Sequence, residues 1–351
     1  MADDEPGFGR RVTLEDIARM AGVSRATGSR VVNGSTKVNP ESRRAVEQAI
    51  ARLGYVPNRA ARSLMTRRSD SIGVIIPTPN ARLFGDPFFL LFLNGIGTAL
   101  ALHGLHLLLL IAQSGEEEKR YEQYVASGHI DGVVLTALRG DDPLPERLAA
   151  RGIPVVVNGR APRGSRASYV DADSRGGAEA ATAHLIAQGR RKVATISGPL
   201  DMPAALDRLL GFRDALGAAG LPIDPALEAV GDFTQEGAIR AMNLLLERQP
   251  DLDGLFVASD TMAVAALREL QSAGRRVPDD VGVVGFDDQP IAERTVPPLS
   301  SVRHPIEAMS HEMVSLLLHS IESRDHTPRQ VTFSTELVIR ESSGRRTAPR
   351  T

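Results

Sequence analysis

The sequence predicts a chain of two unlike parts, a small all-α head followed by a larger α/β body in two lobes. Three observations carry this. Residues 1–68 hold 13 Lys and Arg against 7 Asp and Glu, a net of +6, and the remainder holds 28 against 36, a net of −8. The overall charge of −2 therefore conceals a basic head on an acidic body, the pattern of a nucleic-acid-binding module joined to something else. Within the head, helix caps and turn glycines recur at close spacing, so its helices are short. From Ser71 onward, short apolar runs alternate with stretches of helical period, the signature of strand–helix–strand units and parallel sheets. At 351 residues the chain exceeds one small core and suits two or three domains.

Thr13 is a good N-cap for the first helix, with Glu15 and Asp16 in the turn where acidic side chains suit the helix dipole. Leu14, Ile17 and Ala18 follow at helical spacing. Ala21-Gly22-Val23 makes a tight turn in which Gly22 is free to take positive φ. Ser24 caps a second helix running to Val32, and Asn33-Gly34 stops it. Asn39 caps a third with Pro40 at its first position, and that helix runs to about Leu53 with Val46, Ile50 and Leu53 on one face. Helix, glycine turn and Ser-capped short helix form the helix-turn-helix plan. The second helix carries Arg25, Thr27, Ser29 and Arg30, and arginine forks suit guanine edges while hydroxyls suit phosphates. An ordinary three-helix bundle with a charged face is the competing reading; Ser24 and Arg25 at the start of a short second helix weigh against it. Gly28 lies inside this second helix, where glycine costs about 1 kcal/mol relative to alanine.

In the body, strand-like runs cover 72–76, 105–111, 132–135, 154–157, 193–196, 255–257 and 281–286, with helical stretches such as 178–186 and 262–270 between them. About 270 residues of this alternation is generous for one sheet, so two lobes with a cleft are expected. A ligand is expected beyond the carboxyl ends of the strands.

Several classes are disfavoured. With no cysteine there is no disulfide, thiolate zinc site or cysteine nucleophile. No apolar run reaches the length of a membrane span, and the acidic start Met1-Ala-Asp-Asp-Glu-Pro6 lacks the pattern of a signal peptide, so a cytoplasmic protein is expected. Gly95-Ile-Gly-Thr-Ala-Leu100 is an incomplete dinucleotide fingerprint inside a helical stretch, and there is no Walker A sequence or nucleophile elbow. The eight histidines are scattered. No enzyme, cofactor, metal site or catalytic residue is expected.

Val12-Thr-Leu-Glu-Asp-Ile-Ala-Arg-Met-Ala-Gly-Val-Ser-Arg-Ala-Thr27 and Ser29-Arg-Val-Val-Asn-Gly34 resemble the head of the LacI/GalR family of lactose-repressor-like regulators. Leu53-Gly-Tyr-Val-Pro-Asn-Arg-Ala-Ala-Arg-Ser-Leu64 resembles the same family's third helix and hinge. Asp86-Pro-Phe-Phe89, Gly128-His-Ile-Asp-Gly-Val-Val134, Arg208-Leu-Leu-Gly-Phe212, Ala258-Ser-Asp-Thr-Met-Ala263, Val284-Gly-Phe-Asp-Asp288 and Pro297-Pro-Leu-Ser-Ser-Val-Arg303 resemble its later landmarks, so the likeness covers nearly the whole chain. It implies a helix-turn-helix domain over 11–56, a hinge helix and linker over 57–68, and an effector-binding and dimerisation domain over 69–341. Disordered tails would occupy 1–10 and 342–351. The effector domain would resemble periplasmic sugar-binding proteins, two lobes joined by three crossovers. The proximal lobe would take 69–166 and 299–325, and the distal lobe 167–296 and 327–341.

The resemblance also implies site residues. Thr13, Ser24, Arg25, Ala26, Thr27, Ser29, Arg30 and Asn33 would face DNA, with Arg25, Ala26 and Arg30 at base-reading positions. Asn58, Arg59 and Leu64 would belong to the hinge, Leu64 wedging between central base pairs. Phe88, Phe89, Asp173, Arg208, Phe233, Ser259 and Asp287 would line the effector site. A guanidinium fork and a carboxylate satisfy vicinal hydroxyls, and aromatic faces cover the apolar face of a sugar; Phe88 and Phe89 fit a plain core equally well. The implied function is a transcriptional repressor, homodimeric on a pseudo-palindromic double-stranded operator and released by a mono- or disaccharide inducer. A regulator responding to a purine co-repressor is one alternative. A sugar-binding receptor or transport protein without a DNA role is another, disfavoured by the basic head.

Overall fold

The computed structural model describes residues 12–55, 68–78, 80–162, 164–323 and 327–344. The chain divides into two compact units between Ser69 and Asp70. Of the expected hinge only Arg68 is described, so Asn58, Arg59 and Leu64 lie outside the described residues.

The first unit contains the three expected helices, α1 (Leu14–Met20), α2 (Arg25–Val32) and α3 (Pro40–Leu53). Thr13 closes α1 reciprocally: its hydroxyl accepts from the Asp16 N–H at 3.3 Å, and the Asp16 carboxylate accepts from the Thr13 N–H at 2.9 Å. Ser24 Oγ accepts from the Thr27 N–H at 3.2 Å, and Asn39 Oδ1 from the Glu41 N–H at 2.9 Å. These local bonds matter because the buried core is small, made of Ile17, Ala18, Val31, Val46 and Ala49. Gly28 is buried on α2 against α1. A methyl group there would meet Ala18 Cβ at 3.5 Å and Leu14 Cδ1 at 3.8 Å, ordinary contact distances.

The second unit contains two six-stranded sheets. The first lobe holds β1 (Ser71–Ile76), β2 (His106–Ile111), β3 (Gly132–Leu135), β4 (Val155–Asn158), β5 (Ser168–Ala172) and β11 (Gln330–Phe333), in the order β11-β5-β4-β3-β1-β2. Its helices are α4 (Asn80–Gly85), α5 (Pro87–Ala101), α6 (Gly115–Ala126), α7 (Leu144–Ala150) and α12 (Ile306–Ser323). The second lobe holds β6 (Val193–Ser197), β7 (Glu228–Val230), β8 (Gly254–Val257), β9 (Gly282–Asp287), β10 (Ser300–Arg303) and β12 (Glu336–Val338), in the order β12-β10-β9-β8-β6-β7. Its helices are α8 (Ser174–Ala187), α9 (Pro203–Ala218), α10 (Gln235–Arg248) and α11 (Asp260–Ser272). Every pairing is parallel except β10 with β12. Helices on both faces bury β3 and β8 completely, which is why they read as unbroken apolar runs. Gly95 and Gly97, the glycines of the incomplete fingerprint, lie within α5. A methyl group on Gly95 would clash with Ser310 of α12, so that glycine serves close helix packing.

Strand pairing moves the expected lobe boundaries. β5 is laddered between β4 and β11, so 168–172 belong to the first lobe although the distal lobe was expected from 167. β10 is laddered between β9 and β12, which puts 300–303 in the second lobe rather than the first. The segment 327–341, expected wholly in the distal lobe, holds two strands in different sheets, β11 and β12. The chain thus crosses between lobes at Asp173, at His304–Pro305 and at Ser334–Thr335, and Thr335 Oγ1 donates to the Asp173 carbonyl at 3.1 Å. Ser342 and Ser343 are not part of a disordered tail. Both are fully buried: Ser342 Oγ accepts from the Ser300 N–H at 2.8 Å and donates to the Val283 carbonyl at 2.6 Å.

Candidate functional site

Two sites emerge, one in each unit. On α2, Val31 and Gly28 turn inward while Arg25, Ala26 and Arg30 are exposed on the opposite side, joined by exposed Ser24 and Asn33 at its ends. Positions 25, 26, 29, 30 and 33 share a face because each is three or four residues from another. Arg25 Nε pairs with Glu15 at 2.8 Å, an exposed pair that a phosphate or base edge can replace at small cost. Thr27 and Ser29 are half-buried; Ser29 Oγ accepts from Asn33 Nδ2 at 3.3 Å. Thr13, expected to face DNA, is committed to capping α1, its hydroxyl also donating to Asp16 at 2.7 Å.

The second site is the cleft between the lobes. It spans about 760 Å³, part of it open to solvent. Its walls are carboxyl-end features of both sheets: Arg82 and Asp86 beyond β1, Asn158 at the end of β4, Asp171 in β5, Phe233 beyond β7, Asp287 closing β9 and His304 beyond β10. Phe233 and Asp287 take positive φ, an uncommon conformation for residues with a side chain, of the kind that clusters at functional sites.

Two arginines dominate the cleft chemistry. Arg208 of α9 is 5% exposed; its guanidinium lies 3.7 Å over the Phe286 ring, donates to the Ala258 carbonyl at 2.6 Å and reaches Asp287 Oδ1 at 3.3 Å. Arg82 lies 4.7 Å over the Phe233 ring and donates to Met202 Sδ at 3.2 Å. The Nε atoms of both arginines, and Nδ1 of His304, are buried without a hydrogen-bond partner. Burial pulls Arg82 below the usual guanidinium value, opposed by the Asp86 charge. Burial pushes Asp171 upward, and burial with the nearby Asp287 charge does the same to Asp86.

The lobes are bridged around this cavity. Asp86 caps α5 by accepting from the Phe88 N–H at 3.1 Å, and the same Oδ1 accepts from Gln289 Nε2 at 3.1 Å and Thr261 Oγ1 at 3.2 Å across the cleft. Behind them the wholly buried Asp260 accepts from the Gln289 N–H at 2.7 Å and Ser301 Oγ at 2.6 Å; burial, then the Asp287 charge, raise its carboxyl well above the usual range. Nearer the surface, Arg139 pairs with Asp201 and Arg160 with Asp207, again across the lobes. This is a closed cleft.

Of the residues expected in an effector site, Phe88, Phe89, Arg208, Phe233 and Asp287 line this cavity. Asp173 and Ser259 do not. Asp173 Oδ1 caps α8 by accepting from the Gly176 N–H at 2.8 Å, and Ser259 Oγ caps α11 by accepting from the Met262 N–H at 3.3 Å. Sequence reasoning missed Arg82, Asp86, Asp171 and His304. Asp86 stood in the quoted Asp-Pro-Phe-Phe stretch, and an Asp-Pro before a helix is a capping signal; nothing local marks the other three. Among the described residues, no group of three His, Cys, Asp or Glu is placed to hold a metal ion, and no helix is long and apolar enough to cross a membrane.

Residues 13–58 match the family described as bacterial regulatory proteins, lacI family, and residues 182–343 match the periplasmic binding protein-like domain. The chain is 48% identical to the HTH-type transcriptional regulator CelR of Thermobifida fusca over 336 residues, 95% of this chain and 98% of that protein. It is 33% identical to the regulator AglR of Rhizobium meliloti, across 95% of this chain and 94% of that one. Among solved structures, a CelR–cellobiose complex superposes with a TM-score of 0.75 at 46% identity, covering 95% of this chain and all of that one. A lac repressor dimer bound to operator and the anti-inducer ONPF superposes with a TM-score of 0.85 at 26% identity over the same shares.

Proposed function

This chain belongs to the lacI family of bacterial regulatory proteins, and from that premise we propose a homodimeric repressor whose cleft takes a neutral disaccharide of the cellobiose type as inducer. The observation that carries the effector reading is the mixture of unmatched polar atoms between aromatic faces. Arg82 Nε and Arg208 Nε offer donors, Asp171 and Asp287 offer acceptors, and Phe88, Phe89 and Phe233 offer apolar surface. Hydroxyls both donate and accept, whereas a sugar phosphate or uronate would bring negative charge beside Asp86, Asp171 and Asp287. Thr261 and Gln289 hold Asp86 across the cleft, and Arg139–Asp201 and Arg160–Asp207 pair across its rim, so entry requires these bridges to part and re-form around the sugar.

At the other end, Arg25 and Arg30 supply base discrimination and the remaining basic residues supply phosphate contacts, so affinity for DNA falls steeply with salt. Two heads, one per half-site, fit a pseudo-palindromic operator. The sugar acts by changing the angle between lobes, with a coupling of about 1–3 kcal/mol per site.

The test is a melt of the purified protein against neutral mono- and disaccharides, sugar phosphates and purine bases, followed by operator release with whatever raises the melting temperature. A hundredfold excess over Kd stabilises by about 2.7 kcal/mol. Cellobiose-type sugars are expected to shift the melt and weaken operator binding. A shift with purines alone, or tighter operator binding with sugar, overturns the inducer reading.

A further inference from the structure

We infer that His304 is a specificity-determining residue of the effector cleft, gripping one hydroxyl of the saccharide jointly with Asp287. This rests on the reading of the cleft as a sugar site. His304 follows β10 on the second crossing between the lobes, and its side chain is 9% exposed. Its ring leans on Phe88 of the first lobe, centroids 5.7 Å apart and planes tilted by 54°. On its other side, Nδ1 stands 3.6 Å from Asp287 Oδ1 of the second lobe. That separation is too long for a hydrogen bond, and Nδ1 has no other hydrogen-bond partner among the described residues, so a buried polar atom of a cavity-lining residue is left unmatched.

An oxygen about 2.8 Å from each atom completes a shallow triangle across that gap, the ordinary distance for both bonds. A hydroxyl fits it in one sense only. It has a single hydrogen, which it gives to the carboxylate, so it must accept from the imidazole, and Nδ1 therefore carries a proton when the ligand is bound. Arg208 Nη2 holds the same Asp287 oxygen at 3.3 Å and fixes the acceptor while the sugar arrives. The tilted ring contact with Phe88 limits the imidazole's rotation in turn. His304 thus reads whether a hydroxyl is present at one position, from a segment that itself joins the lobes.

The experiment compares parent, His304→Phe and His304→Asn in the full chain, titrated calorimetrically with cellobiose and its monodeoxy analogues. Phenylalanine keeps a ring against Phe88 and lacks the donor; asparagine restores a donor near the Nδ1 position. His304→Phe is expected to weaken cellobiose binding about tenfold, the usual effect of one lost hydrogen bond beside a buried partner. For the deoxy sugar that lacks the read hydroxyl, parent and His304→Phe should bind alike. His304→Asn should recover most of the affinity and the discrimination. Equal binding of cellobiose by parent and His304→Phe overturns the assignment, as does an equal loss on every analogue, the mark of a purely structural effect. Should His304→Phe melt early without sugar, His304→Asn decides: if it folds and cannot tell the analogues apart, the assignment falls. If the parent binds none of these sugars, the saccharide reading itself fails first and takes this one with it.

Discussion

The head and the cleft solve recognition in opposite ways. The head exposes Arg25, Ala26 and Arg30 on a short helix over a core of five buried side chains, and Arg25 is held by a surface pair with Glu15. The cleft buries its key groups, stacks both arginines on rings and joins Asp86 to two residues of the facing lobe. A phosphate backbone is long and wet, so exposed cations suffice for it and their loss barely touches stability. A sugar must be taken from water, so the cleft's groups work in a dry space where unmatched charge is costly. Function and stability are therefore separable in the head and entangled in the cleft.

Four substitutions break or sharpen this contrast. Arg208→Ala should have the largest effect, since it strands the buried Asp287 carboxylate; removing one partner of such a pair costs about 3–5 kcal/mol. Denaturant unfolding of the body should show that loss, and the sugar should no longer release DNA. A variant as stable as the parent would refute the entanglement. Next, Ile17→Ala empties the centre of the small head core and should cost about 2–5 kcal/mol, unfolding the head. Affinity for every DNA sequence should disappear in gel-shift assays while calorimetry finds sugar binding intact. Arg30→Ala should cost about 1–3 kcal/mol on the preferred operator with a melt unchanged within about 0.5 kcal/mol, and equal binding of specific and random DNA by variant and parent would show Arg30 to be no base reader. The smallest change is a gain. Gly28→Ala fills ordinary contact space beside Ala18 on a helical backbone and should stabilise the head by about 0.5–1 kcal/mol, seen as a higher melting temperature of the head. Destabilisation there would mean that α1 and α2 pack more tightly than these distances indicate.

Much of the molecule was legible along the chain. All three head helices were, because Thr13, Ser24 and Asn39 cap them through bonds spanning two or three residues. The buried strands β1, β3 and β8 were, because a strand covered on both faces must be apolar throughout. Other strands were not: β7 is three residues long, and β5 (Ser-Tyr-Val-Asp-Ala) and β10 (Ser-Ser-Val-Arg) mix polar and apolar residues. β5 also pairs with β11, far along the chain, and β10 with the later β12, so only the ladders reveal which lobe each joins. Asp173 and Ser259 were chosen for the cleft on context, yet each is consumed by the helix that follows it, and a cap and a ligand group look alike in sequence.

The sequence by itself determined the helix-turn-helix head, the alternation that makes two α/β lobes, and the family. These rest on local propensity, period and ordered motifs, which need no knowledge of distant contacts. Only the tertiary structure decided which side chains meet in the cleft. Arg82 with Asp86, then Asp171, Arg208, Asp287 and His304, come from five separate stretches of chain, and the crossings at 173, 304 and 334–335 bring them together. Their chemistry is a property of that convergence. A buried atom is unmatched, or a carboxyl raised, because of what the fold places around it, and burial is written in no single stretch of sequence.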